Sequence, residues 1–162
     1  MPGANPPRRT LAILGFFAAV LVVSTASGLV AAPSIHGWYQ TLHQPPLSPP
    51  NWVFAPAWTI LYLLMAWAAS LAYATRPSSC RSGGLRMWGV QLIINFAWTV
   101  VFFRMHAPGF ALLDILLLLI AIVQTLRPFH TIRPLAAWLL APYLAWTLFA
   151  AYLNAGILLL NH

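Results

Sequence analysis

The chain has 162 residues, of which 61% are hydrophobic and 6% charged. A soluble domain carries about a quarter of its residues as charges, so this composition excludes an aqueous globular fold and indicates an integral membrane protein. The net charge of +7 comes from eight arginines against one acid, Asp114, and the arginines stand singly or in pairs at the ends of apolar runs, a placement that sets membrane topology rather than nucleic-acid contact.

Residues 1–10, MPGANPPRRT, read as a disordered, basic, Pro-rich tail. The apolar run over 11–32 predicts a first span, ended by Pro33. Arg8 and Arg9, the apolar core and then Ser24-Thr25-Ala26-Ser27-Gly28 also have the form of a secretory signal with a small-residue cleavage site. The run continues past that site to spanning length. Residues 34–50 read as a loop, because Pro45, Pro46, Pro49 and Pro50 lack the N–H donor a helix needs. A second span is predicted over 51–75, kinked by Pro56 in its early turns. A third follows over 85–103, after the polar turn segment 76–84. The fourth, over 108–126, carries Asp114. A Pro-bounded turn over 127–134 leads to the fifth, over 135–160. The expected architecture is an all-α integral membrane protein, a bundle of five transmembrane helices forming one domain over 11–162.

Arg8, Arg9, Arg76, Arg81, Arg86, Arg127 and Arg133 fall on one side of these spans and only Arg104 on the other. The positive-inside rule then puts the N-terminus in the cytoplasm and the 34–50 loop and C-terminus outside, as for a bacterial inner membrane.

Residues three, four and seven apart share a helix face. On the second span Trp58, Tyr62 and Met65 form one stripe; on the third, Gln91, Asn95, Trp98 and Phe102; on the fifth, Tyr143, Trp146, Ala150 and Asn154. An unpaired amide facing hydrocarbon is costly, so these faces are expected to look inward at one another. They would wall a cavity of indole and phenol rings suited to a flat, largely apolar ligand. Plain packing and interfacial belts use the same residue types. Trp38, Tyr39, Trp52 and Trp88 lie near helix ends and fit a belt, and Asn95 and Asn154 fit interhelical glue. Ala66, Ser70 and Ala74, and Ala137, Ala141 and Ala145, make small-residue rows for close helix approach. Asp114 inside a span costs about 2.5–3.5 kcal/mol on insertion scales and reads either as functional or as an acid paired near the helix end with Arg104. His36 and His43 in the loop are candidates for ligand carboxylates or haem iron, or are simply exposed. Cys80 is the single cysteine, no Cys/His spacing indicates a metal site, and no nucleophile–base pair is present.

Three motifs carry a resemblance. Trp38-Tyr39-x-x-Leu42-x-x-Pro45 followed by Pro49-Pro50-x-Trp52-Val53-Phe54-x-x-x-Trp58-x-x-Leu61-Tyr62-x-x-Met65 closely resembles the TspO/MBR family, the tryptophan-rich sensory proteins related to translocator protein, the peripheral benzodiazepine receptor. Gln91-x-x-x-Asn95-x-x-Trp98-x-x-x-Phe102-Phe103 is similar to the family's third-helix motif, and Pro142-Tyr143-x-x-Trp146-x-x-x-Ala150-x-x-Leu153-Asn154 to its fifth. The resemblance implies a five-helix bundle forming a homodimer, with protoporphyrin IX or haem as ligand and no required cofactor or metal. Carried over by motif, the ligand-binding residues are Tyr39, Trp58, Tyr62, Asn95, Trp98, Trp146 and Ala150. The function implied is that of a tetrapyrrole-binding sensory or regulatory protein. The alternatives are a porphyrin or sterol transporter, or light-dependent porphyrin degradation with Trp58 and Trp146 as catalytic residues. The missing inverted repeat and the scarcity of intramembrane charge favour binding over transport. Gln44 stands where the family often has Lys, Leu47 where it often has Trp, and Ala155 where the animal members' sterol motif has Tyr.

Overall fold

The computed structural model describes residues 6–161. Among them six α-helices follow one another: α1 (Pro6–Ile35), α2 (Trp38–Thr41), α3 (Phe54–Tyr73), α4 (Ser79–Thr99), α5 (Pro108–Ile132) and α6 (Pro134–Leu160). All but α2 belong to segments long and apolar enough to cross a membrane. The all-α, five-span architecture read from the sequence is the one observed.

The helix boundaries differ from the sequence reading at the prolines and at the polar segment 76–84. α1 starts at Pro6, so residues 6–10 of the expected tail are helical and residues 1–5 lie outside the described residues. Proline is tolerated in a first turn, whose N–H groups have no intrahelical acceptor. α1 also runs through Pro33, which so close to the C-terminus forfeits a single bond. Pro56 lies in the first turn of α3 and therefore begins that helix instead of kinking it. A 3₁₀ turn, Asn51–Val53, leads into it. α4 starts before Leu85 because the Ser78 side chain accepts the Arg81 backbone N–H at 3.1 Å, an N-cap that the 76–84 turn reading overlooked. The expected turn over 127–134 is helical through Ile132. Phe129 anchors this stretch: it is fully buried, and a Cβ on Gly84 would stand 3.0 Å from its ring.

The spans pack in the cyclic order α1, α3, α6, α5, α4, with α4 returning to α1. Ala66, Ala68, Ala69 and Ala72 are wholly buried on α3 and let its neighbours approach closely. Of the other expected row, Ala137 is buried while Ala145 is exposed. The bundle's outer surface is apolar. The most hydropathic window of each span is no more than 39% buried, and that of α1 only 6%. Leu29, Ile93, Phe110 and Leu159 are each about two-thirds or more exposed. An apolar surface of this extent is stable only against lipid. Four hydroxyls within the spans are satisfied locally: Ser70, Thr99, Thr125 and Thr147 each donate to the carbonyl four residues back.

Candidate functional site

A cavity of about 530 Å³ opens inside the end of the bundle that carries the 34–50 segment. That volume falls within the range of small-molecule sites. Four helices line it. α3 supplies Trp58 and Tyr62, whose rings lie 5.6 Å apart. α4 supplies Trp98, stacked on Phe102 at 5.3 Å. α6 supplies Trp146, Phe149 and Ala150. Trp146 meets Phe54 edge-on at 6.2 Å and Phe149 at 5.8 Å.

The fourth wall is α1, which the sequence reading did not assign to the site. Ser24, Ser27, Gly28 and Ala31 face the cavity. Their spacing of three and four is a helix face. The run that resembled a cleavage site is thus a wall whose small side chains leave the space empty. The signal was present in the sequence as a small-residue face, in competition with a targeting motif of the same composition.

Polar groups behind the rings fix their orientation. The Trp98 indole Nε1 donates to Asn154 Oδ1 at 3.1 Å, and Asn154 Nδ2 donates to the Pro108 carbonyl at 2.7 Å. The Tyr62 hydroxyl donates to Asn95 Oδ1 at 2.5 Å, and Asn95 Nδ2 reaches the Tyr143 hydroxyl at 3.4 Å. Asn95 is 1% exposed and its amide is engaged on both sides. It therefore stands behind Tyr62 and not on the cavity surface, and a direct hydrogen bond from Asn95 to a ligand does not follow from this arrangement. The Ser27 hydroxyl is buried, faces Tyr62 and makes no close hydrogen bond, so although Ser27 lines the cavity its oxygen is turned away from the open space.

Five of the seven residues singled out from the sequence meet on this cavity: Trp58, Tyr62, Trp98, Trp146 and Ala150. Tyr39 and Asn95 do not line it. Tyr39 is buried behind the wall, edge-on to Phe54 at 6.2 Å and 5.9 Å from Phe103. Burial pushes its phenol above the ordinary tyrosine value, with a smaller downward pull from Gln44. Of the two loop histidines, His36 is at the cavity and His43 is not. Asp114 lies on α5 away from the lining, with Oδ2 buried and without a hydrogen bond.

The 34–50 segment is clamped over this end. The His43 backbone N–H donates to Asn161 Oδ1 at 2.8 Å, and Asn161 Nδ2 donates to the His43 carbonyl at 3.0 Å. The Tyr152 hydroxyl donates to the Pro46 carbonyl at 2.8 Å. Pro46 and Leu47 form a turn in which Leu47 has φ 67°, the left-handed conformation of a type II turn. On the far side, the Ser34 hydroxyl contacts the Phe103 carbonyl and lies 3.0 Å from His106 Nε2, and the His106 ring stacks on Trp38 at 4.2 Å. After α4 the backbone widens into a π-helical turn, Val100–Arg104. π-bulges are frequent at functional sites, and this one carries Phe103 at the cavity, with Phe102 buried behind Trp98.

Chemically the cavity offers flat indole and phenol faces, an apolar lining and a sparse polar edge. It suits stacking against an extended aromatic system.

The sequence model of the TspO/MBR family matches residues 16–160 of this chain. The tryptophan-rich protein TspO of Chlorobaculum tepidum is 39% identical over 137 residues, covering 83% of this chain and 87% of that protein. TspO of Archaeoglobus fulgidus is 36% identical over 155 residues, covering 93% and 97%. Human translocator protein is 35% identical over 152 residues, covering 85% and 90%.

Proposed function

The chain belongs to the TspO/MBR family, and on that premise we propose that it is a membrane sensory or regulatory protein that binds a tetrapyrrole, protoporphyrin IX or haem, in the aromatic cavity. The observation that supports this most is the convergence of Trp58, Tyr62, Trp98 and Trp146 from three helices onto one apolar cavity. A planar macrocycle stacks on these faces. Its charged edge lies towards the 34–50 segment, where His36 and Asn51 are polar residues of the lining. No cofactor is required for binding.

The test is quenching of tryptophan fluorescence by protoporphyrin IX in the dark, on the purified protein and on Trp58→Phe/Trp146→Phe. Saturable quenching that weakens in the variant, after correction for the lost indoles, supports the pocket. Quenching that never saturates, or that is unchanged in the variant, removes it.

Trp58 and Trp146 line the same cavity, and this favours a second reading, light-dependent loss of bound porphyrin with these two indoles as catalytic residues. Repeating the titration under light while following porphyrin absorbance separates it from simple binding. Transport is the third reading, and the relatives' name, translocator protein, belongs to it. The cavity is built at one end of the bundle, so flux of labelled porphyrin into proteoliposomes is its test. Orientation with the N-terminus in the cytoplasm, a bacterial inner membrane and assembly as a homodimer are part of the proposal. Labelling of Cys80 from either side of a sealed vesicle tests the orientation.

A further inference from the structure

We propose that the groove between the end of α5 and the start of α6 holds the headgroup phosphate of an anionic phospholipid. The groove lies at the opposite end of the bundle from the aromatic cavity and measures about 480 Å³. Arg127 and His130 stand on its α5 side, and Ala137 and Ala141, one turn apart on α6, lie on the other. Trp138 flanks it and is 69% exposed, the setting of an interfacial tryptophan.

The charge has no internal match. The Arg127 and His130 side chains make no hydrogen bond or ion pair among the described residues. Thr131 in the same groove donates its hydroxyl to the Arg127 carbonyl, so the guanidinium and the imidazole are the open donors. The protein's only acid, Asp114, is thirteen residues earlier on the same helix, about 20 Å away at 1.5 Å per residue. The counter-anion is therefore external. It meets the protein where a span ends, with Ala137 and Ala141 across the groove from the two donors. A membrane lipid satisfies both requirements: its phosphate reaches Arg127 and His130, and the upper part of a chain lies over Ala137 and Ala141. The groove is at the arginine-rich end of the bundle, the end that faces the anionic cytoplasmic leaflet under the positive-inside rule. A bare phosphate ion would leave the two alanines and Trp138 uncovered.

The experiment uses the full chain, delipidated in detergent and titrated with phosphatidylglycerol, phosphatidylcholine or inorganic phosphate. Native mass spectrometry counts the bound lipid. The expected result is one phosphatidylglycerol retained per chain in preference to phosphatidylcholine, with inorganic phosphate neither binding nor competing at matched concentration. Arg127→Gln weakens retention about fivefold, the worth of one arginine at an anionic surface. Ala141→Leu fills the groove with the charge intact and weakens retention at least as much. Arg9→Gln, at the same end but on α1, leaves it unchanged. Near-UV circular dichroism reports that each variant is folded. The proposal is overturned if Arg9→Gln weakens retention as much as Arg127→Gln, which would mean diffuse charge. It is also overturned if phosphate binds as well as the lipid, or if Arg127→Gln and Ala141→Leu both retain phosphatidylglycerol normally.

Discussion

Gly156 of α6 lies directly beneath Pro45 of the 34–50 segment: a Cβ on Gly156 would stand 2.5 Å from Pro45 Cβ and 2.7 Å from Pro45 Cγ. No side chain fits there unless the segment lifts. The segment is otherwise tied down by the paired hydrogen bonds of His43 with Asn161 and by the Tyr152–Pro46 bond. Gly156→Ala should therefore loosen the cover while leaving α6 intact, since alanine is the better helix former by about 1 kcal/mol. Breaking one or two of the clamping bonds at about 0.5–1.5 kcal/mol each raises hydrogen exchange over residues 43–50 and speeds ligand release. Unchanged exchange there would show that the segment yields without lifting.

Gly28 tests whether α1 is a wall of the site. Its Cβ position meets nothing within 4 Å, and Gly28 lines the cavity. Gly28→Leu should fold at least as well as the parent, because an interior helix glycine costs about 0.8–1.0 kcal/mol relative to alanine. The new side chain occupies the space a ligand needs. Porphyrin affinity is expected to fall at least about tenfold, roughly 1.4 kcal/mol, with the melting temperature unchanged or raised. Normal affinity would place the ligand elsewhere.

Asn154 holds Trp98 by its indole N–H and the start of α5 by the Pro108 carbonyl. Asn154→Leu leaves a buried donor unpaired, and a loss of about 1–3 kcal/mol is expected. Detergent-resistant thermal unfolding measures the loss. A shift in Trp98 emission, isolated by comparison with Trp98→Phe, reports whether the indole has moved.

Tyr62 and Asn95 form one unit through a 2.5 Å hydrogen bond. Tyr62→Phe keeps the ring on the cavity and strands Asn95 Oδ1, so stability should fall by about 1–3 kcal/mol while stacking survives. If Asn95 acts only through Tyr62, the double variant Tyr62→Phe/Asn95→Ala loses less than the sum of the single losses, by about 0.5 kcal/mol or more. Strict additivity in porphyrin affinity would instead mean that Asn95 meets the ligand itself.

The membrane class, the number of spans and the inward stripes were legible because they depend on local quantities. Apolar length sets a span, and a ring at positions i and i+4 sets a face. Trp58 with Tyr62, and Trp146 with Ala150, could be placed together from spacing alone. Helix ends were harder, because proline and glycine weaken helices locally while packing overrides them. Phe129 against Gly84 holds α5 helical past Pro128, and the Ser78 cap opens α4 before two glycines.

The sequence by itself determined that this chain lies in lipid, crosses it with five helices and turns aromatic faces inward, since each follows from composition and period along one helix. Only the tertiary structure decided which residues see the cavity. Asn95 and Tyr39 were placed on it by motif, yet Tyr62 covers the amide of the first and Phe54 and Phe103 enclose the ring of the second. Ser27 and Gly28 lie in the run read as the first span, with a cleavage signal as the competing form, and that reading gave them no place at the site, yet they form its fourth wall. The reason is physical: whether a side chain meets a ligand depends on what stands between it and the void, and that is set by residues far away in the chain.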